Sequence, residues 1–301
     1  PRHLLELPVA VAIEGKNLGE ASDYYQKAGT RGDLNGMTNS YRVLSGNGDS
    51  NSKKIALGYL KRAADEGDHE SMYNYALRLE KGDGVPMNKE LASQYFKKAG
   101  HFGIPAGLVK YGLNIRDGIN GTGMDKREAF HHFKVAADHD DADGMYYAGM
   151  MLYYGDGVGT DYHEAGKYFD KAAQKEQIDA MYQYGIYVDD HNPSYYNYKK
   201  AAQYAKKAAD RGHPKAFLNY KKYSYYYGFT DLDRTFQEKM TEFENFDLSD
   251  IEGYKRFYKN CHDLLDNCYK DYYFLKDNNM NVNDKEYHPD ILRDKYKKLF
   301  E

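Results

Sequence analysis

The chain has 301 residues and a formal net charge of −4, with 42 Lys and Arg against 46 Asp and Glu. This balance gives no general preference for nucleic acid or for an anionic membrane surface. No apolar run approaches the about 20 residues that a membrane-spanning helix needs, so we expect no membrane insertion. With only two cysteines, Cys261 and Cys268, the chain is not a disulfide-rich scaffold, and we interpret both as buried free thiols.

One phrase recurs along the chain: an alanine, two residues, a pair that usually contains aromatics, two residues and a second alanine. Residues 165–172 show its form, with Tyr168 and Phe169 between Ala165 and Ala172. The second alanines are Ala28, Ala63, Ala99, Ala136, Ala172 and Ala208. They follow one another at intervals of about 35 to 37 residues. A fixed period in this range indicates a stack of similar supersecondary units.

Each copy of the phrase predicts a helix, which we call the B helix, because alanines seven apart share one helical stripe. A glycine four residues after the second alanine predicts a C-terminal stop with positive φ. These glycines are Gly32, Gly67, Gly103 and Gly212. Asp140 and Glu176 stand at this place in two copies, where we expect the turn to close differently.

A second helix, the A helix, follows each stop and precedes the next B helix. Its core stripe starts with a small residue and then a large apolar one. The pairs are Gly36-Met37, Ser71-Met72, Gly107-Leu108, Gly144-Met145, Ala180-Met181 and Ala216-Phe217. Glycine within a helix costs about 1 kcal/mol relative to alanine, so its recurrence at one register indicates close contact between helices.

Glycine-rich loops join each A helix to the next B helix. The clearest are residues 82–85 and 155–158, both Gly-Asp-Gly-Val, and related loops stand at 46–49 and 118–121. Glycine supplies the left-handed conformations that such turns need. The fifth loop, residues 189–193, has lost its glycines, and we expect a differently shaped turn there.

These helices and loops, in phase over six copies, resemble the Sel1-like repeat, a relative of the tetratricopeptide repeat. The strongest matches are residues 82–99, which run from Gly-Asp-Gly-Val through Tyr95-Phe96 to Ala99, and residues 155–173. The resemblance covers roughly residues 15–225. It implies an all-α fold, an α/α superhelical solenoid of about six helix-pair repeats, whose concave surface binds other proteins. It implies no shared catalytic residues.

The period is lost from about Tyr226, although aromatic stripes still predict helices. The predicted helices are 232–246, 250–266, 267–277 and 290–300. We therefore divide the chain into a repeat region, residues 1–228, and an irregular helical C-terminal segment, residues 229–301. This segment either caps the last repeat or binds a partner.

The sequence shows no constellation of catalytic, cofactor-binding or metal-binding residues. The Gly-Asp-Gly-Val loops lack the lysine and the preceding strand of a phosphate-binding loop. His131 and His132 point about 100° apart on a helix, so they cannot easily share one metal ion with His139. We therefore predict a protein that is not an enzyme and that binds no cofactor and no metal.

Charge is unevenly distributed near the end of the repeat region. Residues 195–227 hold eight Lys and Arg residues and one acid, Asp210, whereas residues 231–252 are rich in Asp and Glu. A basic stretch among aromatics could bind nucleic acid or an acidic protein segment. We prefer the interpretation that the two stretches are neighbouring layers that attract each other, and we do not expect nucleic acid as a partner.

The leading hypothesis is a non-catalytic scaffold or adaptor that holds a peptide or a helix of another protein in its concave groove. The groove would be lined by two positions, four residues apart, in each A helix. These are Asn74, Arg78, Lys110, Asn114, Tyr147, Met151, Gln183, Tyr187, Asn219 and Tyr223. The alternative is a structural subunit of a large cytoskeletal assembly, for example an axonemal or microtubule-associated one. Either function predicts a cytoplasmic protein.

Overall fold

The computed structural model describes residues 18–46, 49–119, 123–245 and 250–300. These residues form helices joined by turns, with no strand among them, which confirms the predicted all-α fold class. Parts of two predicted loops, at 47–48 and 120–121, and the end of the predicted helix 232–246 lie outside the described residues.

The chain divides into two compact units, residues 1–161 and residues 162–301. Unit one holds α1 (Leu18–Thr30), α2 (Leu34–Gly46), α3 (Ser50–Asp65), α4 (His69–Lys81), α5 (Lys89–His101), α6 (Pro105–Arg116), α7 (Lys126–Asp138) and α8 (Ala142–Tyr154). Even numbers are A helices and odd numbers are B helices.

Unit two continues this alternation before the helices lengthen. It holds α9 (Tyr162–Gln174), α10 (Ile178–His191), α11 (Tyr195–Asp210), α12 (Ala216–Glu244), α13 (Ile251–Asp277), α14 (Asp284–Tyr287), α15 (Pro289–Lys295) and a 3-10 turn (Lys297–Leu299). Within each unit, consecutive helices from α1 to α13 pack against each other, as expected for stacked helix pairs.

Small residues and one large ring form the core of each repeat. In α5, Ala92, Phe96 and Ala99 are fully buried, and α7 and α9 repeat this arrangement. Glycine on the A helix lets the backbones touch, because a Cβ atom on Gly107 would lie 2.7 Å from the carbonyl oxygen of Phe96. The predicted close approach of the helices is therefore present, and it leaves no room for a side chain at this glycine.

The turns after the B helices share one conformation, whichever residue occupies the stop. Gly103 has φ 102°, and Asp140 and Glu176 lie in the left-handed region too, with φ 67°. The amide of Asp141 donates to the carbonyl of Ala136 at 3.1 Å, and the glycine turns have the equivalent hydrogen bond. Our expectation of a different closure at Asp140 and Glu176 is wrong, because the packing of the two flanking helices fixes the turn.

The Gly-Asp-Gly loops adopt the left-handed conformations that we predicted. Gly82 and Gly84 have φ values of 70° and 75°, and Gly155 and Gly157 repeat them closely. A Cβ atom on Gly157 would lie 2.8 Å from the carbonyl carbon of Lys126, at the start of α7. Glycine therefore permits both the turn and its contact with the preceding B helix.

The fifth loop has a different shape, as predicted. Helix α10 continues to His191, and Asn192 follows with φ −147°, outside the left-handed region. The ring of His191 stacks on Tyr162 at the start of α9, with 3.8 Å between the centroids. An aromatic contact thus joins this loop to a preceding B helix where the other loops use glycine.

The C-terminal segment consists of longer helices than we predicted. Helix α12 continues from Ala216 to Glu244, so the break expected before Leu232 is absent and the expected boundary at 228 lies inside a helix. The predicted helices 250–266 and 267–277 form one helix, α13, because its buried stripe continues across the expected break. The stripe is Phe257, Cys261, Leu265, Cys268, Tyr272 and Leu275. The last predicted helix, 290–300, ends early as α15 and a 3-10 turn.

Both cysteines lie in α13 as buried free thiols, as we predicted. Burial raises the pKa of Cys268 to about 11, so this thiol stays protonated at neutral pH. Cys261 and Cys268 stand seven apart around Leu264-Leu265, which is the B-helix phrase with cysteine in place of alanine. This copy departs from the repeat pattern because cysteine replaces both alanines and because Cys268 follows Ala208 by 60 residues.

Candidate interaction surface

The ten predicted groove residues lie on the A helices, and they differ in burial. Asn74, Arg78, Lys110, Tyr147, Gln183 and Asn219 are partly exposed. Asn114, Met151, Tyr187 and Tyr223 are buried. Only the first group offers surface to a partner in this conformation.

Two of the buried residues fill space that glycines leave open. A Cβ atom on Gly166 of α9 would lie 2.2 Å from the ring of Tyr187. A Cβ atom on Gly185 of α10 would lie 2.4 Å from the ring of Tyr223, which is only 2% exposed. The repeat pattern placed these tyrosines correctly on the A helix, but the glycines opposite them draw their rings inwards and bury them.

The first cavity of unit one, about 260 Å³, lies between α2, α3, α4 and the loop after α4. Its lining includes Tyr41, Lys53, Leu57 and Arg78. The guanidinium of Arg78 is held by the carboxylate of Asp83, and its Nη2 donates to the hydroxyl of Tyr41 at 3.4 Å. The cavity therefore presents an oriented, partly neutralised cation beside an aromatic ring.

The second cavity of unit one, about 320 Å³, is lined by Arg116 of α6 and by Tyr147, Met150, Met151 and Tyr154 of α8. The ring of Tyr147 stacks on Phe133 with 5.2 Å between the centroids. The guanidinium carbon of Arg116 lies 5.8 Å from the centre of the Tyr147 ring. Tyrosine and methionine dominate this lining, and both are favoured at protein interfaces.

The two cavities occupy equivalent places in the repeat, two repeats apart. Arg78 and Met151 each stand seven residues after the first small residue of their A helix, and Asp83 and Asp156 each stand twelve after it. Between the cavities, Lys110 of α6 makes an ion pair with Glu80 of α4 at 3.1 Å. Unit one thus carries a row of two recesses separated by a polar contact.

A third cavity, about 700 Å³, lies in unit two between the fifth loop and residues 281–287. Lys222 is 8% exposed there, and its ammonium group contacts the carboxylate of Asp189 at 2.5 Å. The hydroxyl of Tyr198 donates to the same carboxylate at 3.3 Å. Because this buried charge is already paired, we interpret the cavity as part of the contact that holds the C-terminal segment.

Three cations of the basic stretch 195–227 are paired with acids that precede it in the chain, whereas Lys206 pairs with Asp210 within the stretch. Lys200 binds Asp170 of α9 at 2.7 Å, and Arg211 binds Glu176 at 2.5 Å. Our interpretation that this stretch attracts the acidic stretch 231–252 is therefore wrong in its choice of partner. Each helix packs on the preceding repeat, so its long cationic side chains meet the carboxylates there.

The described residues contain no group of three or more His, Cys, Asp or Glu side chains that could hold a metal ion. Within the same part of the chain, no helix is long and apolar enough to cross a membrane.

Stacked helix pairs with a recurrent open face define a helical repeat protein. The Sel1 repeat model matches five consecutive segments, which together cover more than half of the chain, and the chain belongs to the Sel1 repeat family. The segments are 41–68, 69–101, 105–141, 142–176 and 178–213. The model thus confirms the resemblance that the repeated phrase indicated.

Two solved structures have a similar fold. A Sel1 repeat protein from Oxalobacter formigenes is 24% identical, with a TM-score of 0.55 over 66% of this chain and 58% of that one. The protective antigen c5321 of uropathogenic Escherichia coli, which displays an SLR fold, is 17% identical, with a TM-score of 0.62 over 93% of this chain and 64% of that one. The chain therefore spans about three fifths of the length of these proteins. A comparison with curated proteins gave no match.

Proposed function

We propose that this chain is a non-catalytic interaction scaffold, and that unit one binds an extended segment of another protein along its A helices. The observation that carries this proposal is the pair of equivalent recesses at Arg78 and at Tyr147. Membership of the Sel1 repeat family supports it, because stacked repeats create extended surfaces suited to protein partners.

The partner segment would place one side chain in each recess. Each repeat adds one A helix and one B helix, and neighbouring A helices lie roughly 10 Å apart, so the recesses two repeats apart lie roughly 20 Å apart. An extended peptide rises about 3.3 Å per residue, so its two anchoring side chains would be about six residues apart. The polar contact between Lys110 and Glu80 would lie under the peptide backbone between them.

The linings indicate which side chains fit. Tyr147, Met150 and Tyr154 offer rings and a flexible thioether, which suit an aromatic or long aliphatic side chain. The recess at Arg78 offers a guanidinium, a lysine and a tyrosine hydroxyl, which suit a carboxylate or an amide. The proposed ligand therefore has a polar or acidic anchor and an apolar anchor.

Selection from a phage-displayed random peptide library with the intact chain tests this proposal. The selected peptides should share two anchors of these types at a spacing of about six residues. We expect Tyr147→Ala to weaken the best peptide at least tenfold, which corresponds to about 1.4 kcal/mol. Adding Asn74→Ala and Lys110→Ala to Tyr147→Ala should weaken binding of this peptide further.

The matched control is Tyr196→Ala, because Tyr196 is an exposed tyrosine of α11 and lines neither recess. Both variants should keep the wild-type circular dichroism spectrum. The proposal fails if Tyr147→Ala and Tyr196→Ala affect peptide binding equally, or if selection yields no peptide above background.

A structural role in a large cytoskeletal assembly is the second candidate. Tyr154, Tyr162, Tyr196 and Tyr273 are exposed on helices of both units, and an assembly subunit would use many such sites. Cell fractionation distinguishes the two functions. A cytoplasmic adaptor should be recovered in the supernatant, whereas an assembly subunit should stay in a salt-resistant pellet.

A further inference from the structure

The contact between successive B helices has a recurrent polar element. The tyrosine three residues after the first alanine reaches back to the preceding B helix. Tyr95 of α5 donates to the carboxylate of Asp65 at 2.5 Å, and Tyr204 of α11 donates to the carboxylate of Asp170 at 3.0 Å. A neutral hydroxyl thus meets a carboxylate at these two contacts.

One contact lacks both of these groups. In α7 the tyrosine position is His132, and His101 of α5 stands where Asp65 stands one repeat earlier. The two imidazole rings lie edge-to-face, with 6.1 Å between their centroids and 76° between their planes. We call this contact the α5–α7 junction. It brings together two groups that can both become cations.

His132 lies in a confined site at this junction. It is 7% exposed, and its ring lies edge-to-face with Tyr111 of α6 at 4.9 Å between the centroids. The ring of His131 lies 5.7 Å away. A buried imidazole loses hydration when it is protonated, so the site favours the neutral ring.

The charged and titratable groups around His132 give a proton little compensation. From α7 they are Glu128, whose carboxylate lies 3.5 Å from Nε2, and His131. From α5 they are His101 and Lys97, whose ammonium group lies 5.0 Å from the Tyr111 ring of α6. Three of these groups are or become cations, and the single carboxylate is partly exposed to water, which weakens its attraction.

The hydrogen bond of His101 fixes which of its ring nitrogens carries a hydrogen. The Nδ1 of His101 lies 2.7 Å from the carbonyl oxygen of Lys97, so Nδ1 carries the hydrogen and donates it. Burial lowers the pKa of His132 from its ordinary value of 6.5, and His131 and His101 lower it further, while Glu128 opposes them. The unfolded chain therefore takes up this proton at higher pH than the folded chain, and stability falls as pH falls below 6.5.

We propose that the α5–α7 junction is an acid-responsive joint in unit one, at which protonation of His132 beside His101 and His131 loosens the contact between two neighbouring repeats. Mildly acidic pH would therefore weaken the packing of these two repeats. The joint does not depend on the proposed peptide surface, since the protein without a partner should show it.

The double variant His101→Asp and His132→Tyr tests the joint, because it recreates the Asp65–Tyr95 contact of the preceding repeat. Urea unfolding of the intact chain is measured between pH 8 and pH 5. Below pH 6.5, the ratio of folded to unfolded wild type should fall up to about tenfold more per pH unit than that of the double variant. The control variant His131→Gln should retain most of the wild-type slope. Equal slopes for the wild type and the double variant would overturn the proposal.

A measurement on the wild type decides the matter if the double variant does not fold. Nuclear magnetic resonance follows the ring carbons of the eleven histidines through a pH titration. We expect the ring assigned to His132 to titrate below the ordinary histidine value of about 6.5, because burial lowers its pKa. If all eleven rings titrate at or above that value, no histidine is held neutral by its site and the joint does not exist.

Discussion

The repeats of unit one and the C-terminal region of unit two stabilise their helices in different ways. In unit one, alanines and glycines let backbones touch around a fully buried ring, such as Phe96 or Phe133. In the C-terminal region, tyrosine hydroxyls bind the backbone of the last residues, as Tyr225 does at the carbonyl of Tyr287. Regular helices satisfy their own backbone groups, whereas the irregular segment 278–300 needs side chains to do so.

In α12, the sixth A helix, the departure from the repeat pattern leaves an apolar core position exposed. Cys268 of α13 lies beside Tyr225, eight residues after Phe217 along α12. Phe217 occupies the position of the buried Met181 and is 51% exposed. The C-terminal helices thus pack on α12 without reproducing the contact of a repeat.

The largest effect that separates the two regions should come from the repeat core. We expect Phe96→Ala to lower the free energy of unfolding by about 3–5 kcal/mol, because it leaves a cavity between touching helices. Urea unfolding followed by circular dichroism measures it. Phe217→Ala makes the same change at the exposed end and should cost much less. Equal losses would show that the repeat core is not closely packed.

Replacing a glycine by alanine should distinguish helix positions that touch a neighbouring backbone from positions that face open space. Gly107→Ala should destabilise the protein by about 1–3 kcal/mol, because its Cβ atom would meet the backbone of α5. Gly58→Ala in α3 has no atom within 4 Å of its Cβ and should stabilise the protein by about 1 kcal/mol. Thermal unfolding of both variants should therefore shift in opposite directions. Shifts of the same sign would contradict the packing.

The hydroxyl contacts of the C-terminal region should have a smaller effect. Tyr225→Phe removes the hydrogen bond to the carbonyl of Tyr287 and should cost about 1–2 kcal/mol. Tyr273→Phe, at an exposed tyrosine of α13, is the matched control and should be neutral. Limited proteolysis after residue 277 should become faster only in Tyr225→Phe. Unchanged proteolysis would mean that this hydroxyl does not hold the C-terminal segment.

The smallest expected effect lies in the turns after the B helices. Asp140→Gly should stabilise unit one by up to about 1 kcal/mol, because glycine has no steric penalty in the left-handed region. Gly103→Asp is the reverse change at the equivalent turn and should destabilise the protein by a similar amount. Glu176→Gly should gain less, since it also removes the ion pair with Arg211. A loss of stability in Asp140→Gly would mean that the aspartate side chain stabilises its turn.

Much of the repeat architecture could be predicted because it depends on local patterns. Alanine spacing, helix stops and Gly-Asp-Gly loops each reflect the geometry of a few consecutive residues, and they located α1 to α11. The failed predictions concerned long-range contacts. The break before Leu232 was inferred from the loss of period, although Gly228 disfavours a continuous helix there by only about 1 kcal/mol.

Long-range contacts also limited the prediction of the candidate surface. The position of Tyr147 and Tyr223 on their A helices predicted that both would line the groove. Tyr147 stays partly exposed above Phe133, whereas Tyr223 sinks against Gly185 and is buried. The sequence by itself determined the period, the helices and their core stripes, because these follow from backbone geometry and local side-chain preference. Only the tertiary structure decided which predicted groove residues keep their surface, because that depends on the size of a residue on another helix.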